Sequence, residues 1–152
     1  MPDELVVLVD DDEDLLRSLK KIMVRHGLRA ITACNGREAL DKMETLDGNI
    51  NTVVVLDIKM PCMDGFRTLN NMNRCFPKAK VIIHSAHCAM QEIVESMLLD
   101  GAVDCLTKPC EPMQLLDSIQ RAFDSFRAEM KTSKQLRRFA PETTVNDHTI
   151  QS

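Results

Sequence analysis

The sequence predicts an α/β fold, a doubly wound parallel sheet of the (βα)5 kind with helices on both faces. Three observations point there. Short aliphatic runs alternate five times with stretches whose apolar residues recur at intervals of three and four. The two most aliphatic runs, Leu5 to Val9 and Val53 to Leu56, carry no polar alternation, the pattern of strands buried on both faces. A chain of 152 residues suits one core rather than several.

Taken in order, Leu5 to Val9 is the first strand, and from Asp14 the spacing of Leu15, Leu16, Leu19, Ile22 and Met23 turns helical until His26-Gly27. Leu28 to Ala33 is a short second strand, broken by Asn35-Gly36, and Ala39, Leu40, Met43 and Leu46 follow on a helical stripe. Thr52 to Ile58 is the third strand; Pro61 and Asp64-Gly65 read as a loop and cap before a third helix marked by Phe66, Leu69, Met72 and Phe76. Lys80 to Ser85 is the fourth strand, with a helix over Ile93, Val94, Met97 and Leu98 closed by Gly101. Asp104 to Thr107 is a fifth, short strand. The stripe Leu116, Ile119, Phe123, Phe126, Met130 predicts an extended C-terminal helix, core in its first half and projecting in its second as a surface for a partner or a second copy. The domain is expected over 4–130, and 131–152 as a polar, flexible tail.

Composition narrows the function. With 3% aromatic residues, no Trp and no Tyr, stacking platforms for single-stranded nucleic acid are nearly excluded, since five Phe do not easily build one. No aliphatic run approaches the roughly 20 residues of a membrane span, and the N-terminus has no basic, then apolar, export pattern. A cytoplasmic protein without direct contact to nucleic acid or membrane is expected. Six cysteines lack C-x-x-C spacing, so they read as small hydrophobes rather than a zinc site or a disulfide framework. The net charge of −4 hides an asymmetry: seven acids and no base stand among the first 14 residues. The basic residues between Arg121 and Arg138 read as a solvated helix face.

Ligands of open parallel sheets bind beyond the carboxyl ends of the strands, where the strand order reverses. The polar residues at those ends are Asp10 and Asp11, Asp57, Ser85 and Lys108. In the flavodoxin-like order 2-1-3-4-5, strands one and three are neighbours, and Asp11 and Asp57 fall side by side. Three carboxylates in one crevice repel unless a cation is present. An all-oxygen set suits Mg²⁺; zinc would want paired His or thiolate. A carboxylate in that setting can attack phosphorus, with the Ser85 hydroxyl and the Lys108 ammonium placed to neutralise charge on the transferred group. Asp12 and Asp14 read as helix-start acids.

The segments LVDDDEDLL (8–16), VVVLDIKMPCMDG (53–65), VIIHSA (81–86) and GAVDCLTKP (101–109) together resemble the receiver domain of bacterial two-component response regulators, over residues 4 to 126. The resemblance implies that a histidine kinase or histidine phosphotransfer protein donates a phosphoryl group to Asp57. It implies Mg²⁺ held by Asp10, Asp11, Asp57 and the Lys59 carbonyl, with Ser85 and Lys108 bonding the phosphoryl oxygens. The Lys108-Pro109 peptide is similar to one that is cis in such domains. A protein partner would read the face of helix four, strand five and helix five, which also serves for a homodimer. Two departures stand out. Ser85 replaces the commoner Thr and keeps the hydroxyl. Cys105 replaces the usual Tyr or Phe, and a thiol is too small to swing as the aromatic does. Lys59 and His87 lie at positions resembling those that tune phosphoryl lifetime.

The module is thus expected to catalyse only its own phosphorylation and dephosphorylation. A rival reading is a haloacid dehalogenase-type phosphatase with Asp10 as nucleophile; it leaves Asp57 idle and lacks a second acidic pair after Lys108. A receiver that binds partners without being phosphorylated is the third reading, disfavoured because every acceptor residue is present.

Overall fold

A computed structural model of the chain describes residues 3–58 and 63–139. In chain order it contains β1 (Glu4–Val9), α1 (Glu13–Arg25), β2 (Ala30–Ala33), α2 (Gly36–Glu44), β3 (Asn51–Leu56), α3 (Met63–Cys75), β4 (Lys80–Ser85), a 3₁₀ turn (Ala86–Ala89), α4 (Gln91–Leu99), β5 (Asp104–Thr107) and α5 (Pro112–Phe139). The strands form one parallel sheet in the order β2-β1-β3-β4-β5, the expected flavodoxin-like arrangement.

Successive side chains of a strand point to opposite faces, and here that alternation builds two cores. Leu5, Val7 and Val9 of β1, with Val54 and Leu56 of β3, join Met43, Leu69, Met72 and Met97 on the face covered by α2, α3 and α4. Val6 and Leu8, with Val53 and Val55, join Leu16, Leu19, Met23, Leu115, Ile119 and Phe123 on the face covered by α1 and α5. Each fully buried side chain of this size contributes about 1.5–3 kcal/mol from burial. The inner strands are dry on both sides, which is why they read as unbroken aliphatic runs.

Local chemistry sets the helix ends. Asp12 caps α1 by accepting from the Leu15 N–H at 3.1 Å, and Asn35 caps α2 by accepting from the Glu38 N–H at 2.8 Å. Gly27 follows the His26 cap of α1 at φ 77°, a left-handed conformation that glycine adopts without strain. β2 begins at Ala30, two residues after the expected Leu28, because the end of α1 occupies the intervening turn: the Leu28 N–H bonds the Met23 carbonyl.

Three boundaries differ from the sequence reading in ways that bear on function. β3 ends at Leu56, so Asp57 and Ile58 lie beyond the strand rather than within it. α3 begins at Met63, which puts Asp64 and Gly65 inside the helix and not in a loop before it. The reason is a close approach: a Cβ on Gly65 would stand 2.3 Å from the Cγ2 of the fully buried Ile58, so only glycine lets the first turn of α3 seat there. α5 continues past Met130 to Phe139, sustained by good helix formers such as Lys134, Gln135, Leu136 and Arg137 after its apolar stripe stops being buried. The remainder of the expected tail, 140–152, lies outside the described residues. Among the described residues no helix is long and apolar enough to cross a membrane.

Candidate functional site

The sheet delivers its polar residues to one rim. The Asp10 N–H bonds the Ala33 carbonyl at 3.1 Å and the Asp57 N–H bonds the Val9 carbonyl at 3.0 Å, so the parallel ladders carry both acids to the same level just past β1 and β3. Asp11 joins them: carboxylate oxygens of Asp10, Asp11 and Asp57 all lie within 4.8 Å of one another. On the far side the Lys108 N–H bonds the Ser85 carbonyl at 3.2 Å, which holds the end of β5 against the end of β4. The Lys108-Pro109 peptide is cis.

Charge in this crevice is partly neutralised from within. The Lys108 ammonium hydrogen-bonds Asp10 and lies 3.2 Å from Asp57 Oδ2. Burial by itself would lower the Lys108 pKa, but the hydrogen bond to Asp10 and the charges of Asp57 and Asp10 outweigh it and raise the value. Asp10, buried, also accepts from the Asp12 N–H at 2.9 Å, which fixes its carboxylate plane. One lysine against three carboxylates leaves a negative surplus. Ligand oxygens around a magnesium ion stand at about 2.0–2.1 Å from it, so opposed oxygens are about 4.2 Å apart. The three carboxylates suit that ion in donor type, and their oxygens lie within 4.8 Å of one another.

Ser85, 1% exposed, donates its hydroxyl to the Ile58 carbonyl at 2.9 Å and accepts from the His87 N–H at 3.2 Å. The hydroxyl is therefore committed to backbone one residue beyond Asp57. His87 stands half-buried on the 3₁₀ turn. Cys105 sits half-buried on β5 against the core cluster of the α2, α3, α4 face. Lys59, assigned a metal-binding carbonyl and a tuning role from sequence, lies outside the described residues.

Two residues near the site escaped sequence reasoning. His84 is buried beside Lys108; burial first, and then the Lys108 charge, lower its pKa, while Asp10 and Asp57 oppose them. Its Nε2 lies 3.6 Å from the Cys110 Sγ. Cys88 is buried on the 3₁₀ turn, in the core cluster against which Cys105 packs. Neither pair has a local spacing signal, because each joins residues on different strands or loops. The alternation of β4 does place His84 opposite Ile83, on the α1, α5 face.

A model of the response regulator receiver domain matches residues 6–120. The chain belongs to the response regulator receiver family. It is 33% identical over 117 residues to the chemotaxis protein CheY of Thermotoga maritima, covering 76% of this chain and 94% of that protein. It is 30% identical over 141 residues to the transcriptional regulator NtrC of Escherichia coli, covering 93% of this chain but only 29% of NtrC. The receiver therefore spans nearly all of one relative and under a third of the other. Among solved structures, CheY in the CheX-CheY-BeF3-Mg complex of Borrelia burgdorferi superposes with a TM-score of 0.70 at 32% identity, covering 78% of this chain and 88% of that one. Membership in a signalling family removes the dehalogenase-type reading of Asp10.

Proposed function

We propose that this receiver accepts a phosphoryl group on Asp57 and relays it as a conformational signal. The observation that carries the reading is the meeting of Asp10, Asp11 and Asp57 within 4.8 Å, with Lys108 bridging Asp10 and Asp57. The donor is a histidine kinase or a histidine phosphotransfer protein: an Asp57 carboxylate oxygen bonds to phosphorus as the P–N bond of the donor's phosphohistidine breaks and its imidazole leaves. Asp10, Asp11, Asp57 and the Lys59 carbonyl would hold Mg²⁺, which supplies charge neutralisation for the phosphoryl oxygens. Lys108 stabilises the transferred group from the opposite side, exchanging part of its interaction with Asp57 for one with a phosphoryl oxygen. Ser85 gives up the Ile58 carbonyl to bond another phosphoryl oxygen, drawing the 3₁₀ turn inward. The module catalyses only its own phosphorylation and dephosphorylation, in the cytoplasm.

Movement of Ser85 repacks the adjoining face of α4, β5 and α5, where Leu98, Leu99 and Val103 are exposed. A downstream protein, or a second copy forming a homodimer, reads that face. The receiver unit spans 4–130, and α5 carries the chain on beyond it to Phe139. The CheX-CheY-BeF3-Mg complex supports the reading, since it combines a CheY, magnesium and a fluoride of the kind that imitates a phosphoryl group.

Incubation with Mg²⁺ and acetyl phosphate tests it. The expected result is a gain in mass of one phosphoryl group, lost in Asp57→Asn and in the presence of a chelator. Retention of the modification in Asp57→Asn, or none in the parent chain, would overturn the assignment.

A further inference from the structure

We propose that Cys110 and His84 form an addition site at an apolar cavity, where the thiol takes up an α,β-unsaturated aldehyde carrying an alkyl chain. The cavity has a volume of about 540 Å³ and lies between α1 and the segment that joins β5 to α5. Leu15, Leu19 and Ile22 of α1 line it together with Pro112 and Leu115 of α5. Small-ligand pockets typically hold about 300–1,000 Å³ and are mostly apolar, with a few convergent polar groups. Two of those groups are matched in chemistry here. His84 of β4 is 5% exposed and lines the cavity, and its Nε2 stands 3.6 Å from the Cys110 Sγ. A nucleophile and a base within hydrogen-bond reach form the pairing that activates a thiol.

Cys110 is free and half-buried, so a small molecule in the cavity meets its sulfur. Burial raises the thiol's pKa and the Glu111 charge adds to it, so the sulfur holds its proton until a base removes it. Burial, then the Lys108 charge, keep the His84 ring neutral and able to accept that proton.

The lining selects the electrophile. A metal ion would want a third ligand, and among the described residues no further His, Cys or carboxylate joins this pair. A disulfide would want a second thiol, and Cys110 is the one cysteine among the described residues that line the cavity. A conjugated aldehyde needs neither: its β-carbon is a soft acceptor for sulfur, and its alkyl chain suits the leucine and proline lining. As the sulfur bonds the β-carbon, the Cys110 proton passes to His84 Nε2. The π pair moves to form an enolate, whose α-carbon then takes the proton back. An S–C bond and a C–H bond replace the S–H bond and the C–C π bond. Nothing is oxidised or reduced, and no group leaves.

Cys110 follows Lys108 by two residues, and Lys108 also lines the cavity. The adduct brings a second chemical input to the segment that carries the ammonium of the acidic crevice. The site itself does not depend on the function proposed above.

The test treats the full chain at neutral pH with limiting amounts of the conjugated aldehydes nonenal or butenal, then with borohydride, and maps adducts by peptide mass. Glutathione serves as the reference thiol. Cys110 is expected to be the first residue modified. Each buried methylene is worth about fourfold, so burying two of the five by which nonenal exceeds butenal gives a preference about 16-fold beyond that of glutathione. Earlier modification of Cys34 or Cys75, or a chain-length preference no greater than that of glutathione, overturns the proposal. In His84→Gln both aldehydes should add about 100-fold more slowly; an unchanged rate overturns the role of the imidazole. Ser18→Trp, on the exposed side of α1 where Ser18 lines the cavity, tests the same space without touching the buried ring. It should abolish the preference for nonenal, and a preference that survives also overturns the proposal.

Discussion

The rim of the sheet has two unlike halves. At the ends of β1 and β3, acids carried by fully buried aliphatic strands converge on one another, and the backbone ladders leave them no room to separate. At the ends of β4 and β5, the groups satisfy one another: the Ser85 hydroxyl bonds the Ile58 carbonyl, and the Ser85 carbonyl accepts from the Lys108 N–H at 3.2 Å. The strands beneath differ to match. β1 and β3 are dry, whereas β5 is a four-residue edge strand that stays partly exposed. The first half gathers charge on a stiff base, and the second holds exchangeable contacts on a softer one. A site that receives charge in one half and moves in the other needs both properties.

Magnesium probes the stiff half most strongly. If the carboxylates are as crowded as they stand, a magnesium concentration of 100 times Kd should raise unfolding stability by about 2.7 kcal/mol. Differential scanning calorimetry would register that as a rise in Tm of several degrees, lost in Asp11→Asn; an indifferent Tm would break the contrast. Next comes the softer half. Ser85→Ala removes the donor to a buried carbonyl and should cost about 1–3 kcal/mol in urea unfolding, while Asp57 still accepts phosphate.

A smaller effect of opposite sign is expected from Asp57→Asn without metal. Relief of repulsion with Asp10 and Asp11 should outweigh the weakened contact with Lys108 and stabilise the chain by about 1 kcal/mol. Urea midpoints at neutral pH would show it, and a loss of stability would mean that the lysine already balances the crevice. The smallest expectation sits away from the rim. The hydrogen bond to Glu38, 2.8 Å from the Cys34 Sγ, raises that thiol's pKa, and it holds the Glu38 carboxyl at about 2. Because the thiolate is the reactive form, Cys34 should alkylate on the alkaline side of an ordinary thiol. Glu38→Gln should move that pH profile downward and speed iodoacetamide labelling at pH 8 by about threefold.

The stiff half was legible in the sequence and the softer half was not, for physical reasons. Acids at the ends of aliphatic runs are a one-dimensional signal: once β1 and β3 are neighbours, Asp10, Asp11 and Asp57 must meet. The five strands followed from the same runs, and the flavodoxin-like order agreed with the two most aliphatic of them being central. By contrast, the partnership of His84 with Cys110 depends on which side of each strand and turn a residue faces, across separate elements. The start of α3 was missed because Asp64-Gly65 carries a turn-like composition, whereas the glycine is there for its clearance over Ile58. The extension of α5 to Phe139 was hidden by the end of its apolar stripe, since propensity alone carries a helix without a core to mark it.

The alternation that sends Val53 and Val54 to opposite faces makes the sheet a bulkhead. Substitutions beneath α5 and those beneath α3 share no cavity, so their energetic effects should simply add. Each compartment can drift or be rebuilt while its twin keeps the rim aligned, a tolerance that a protein with one undivided interior lacks.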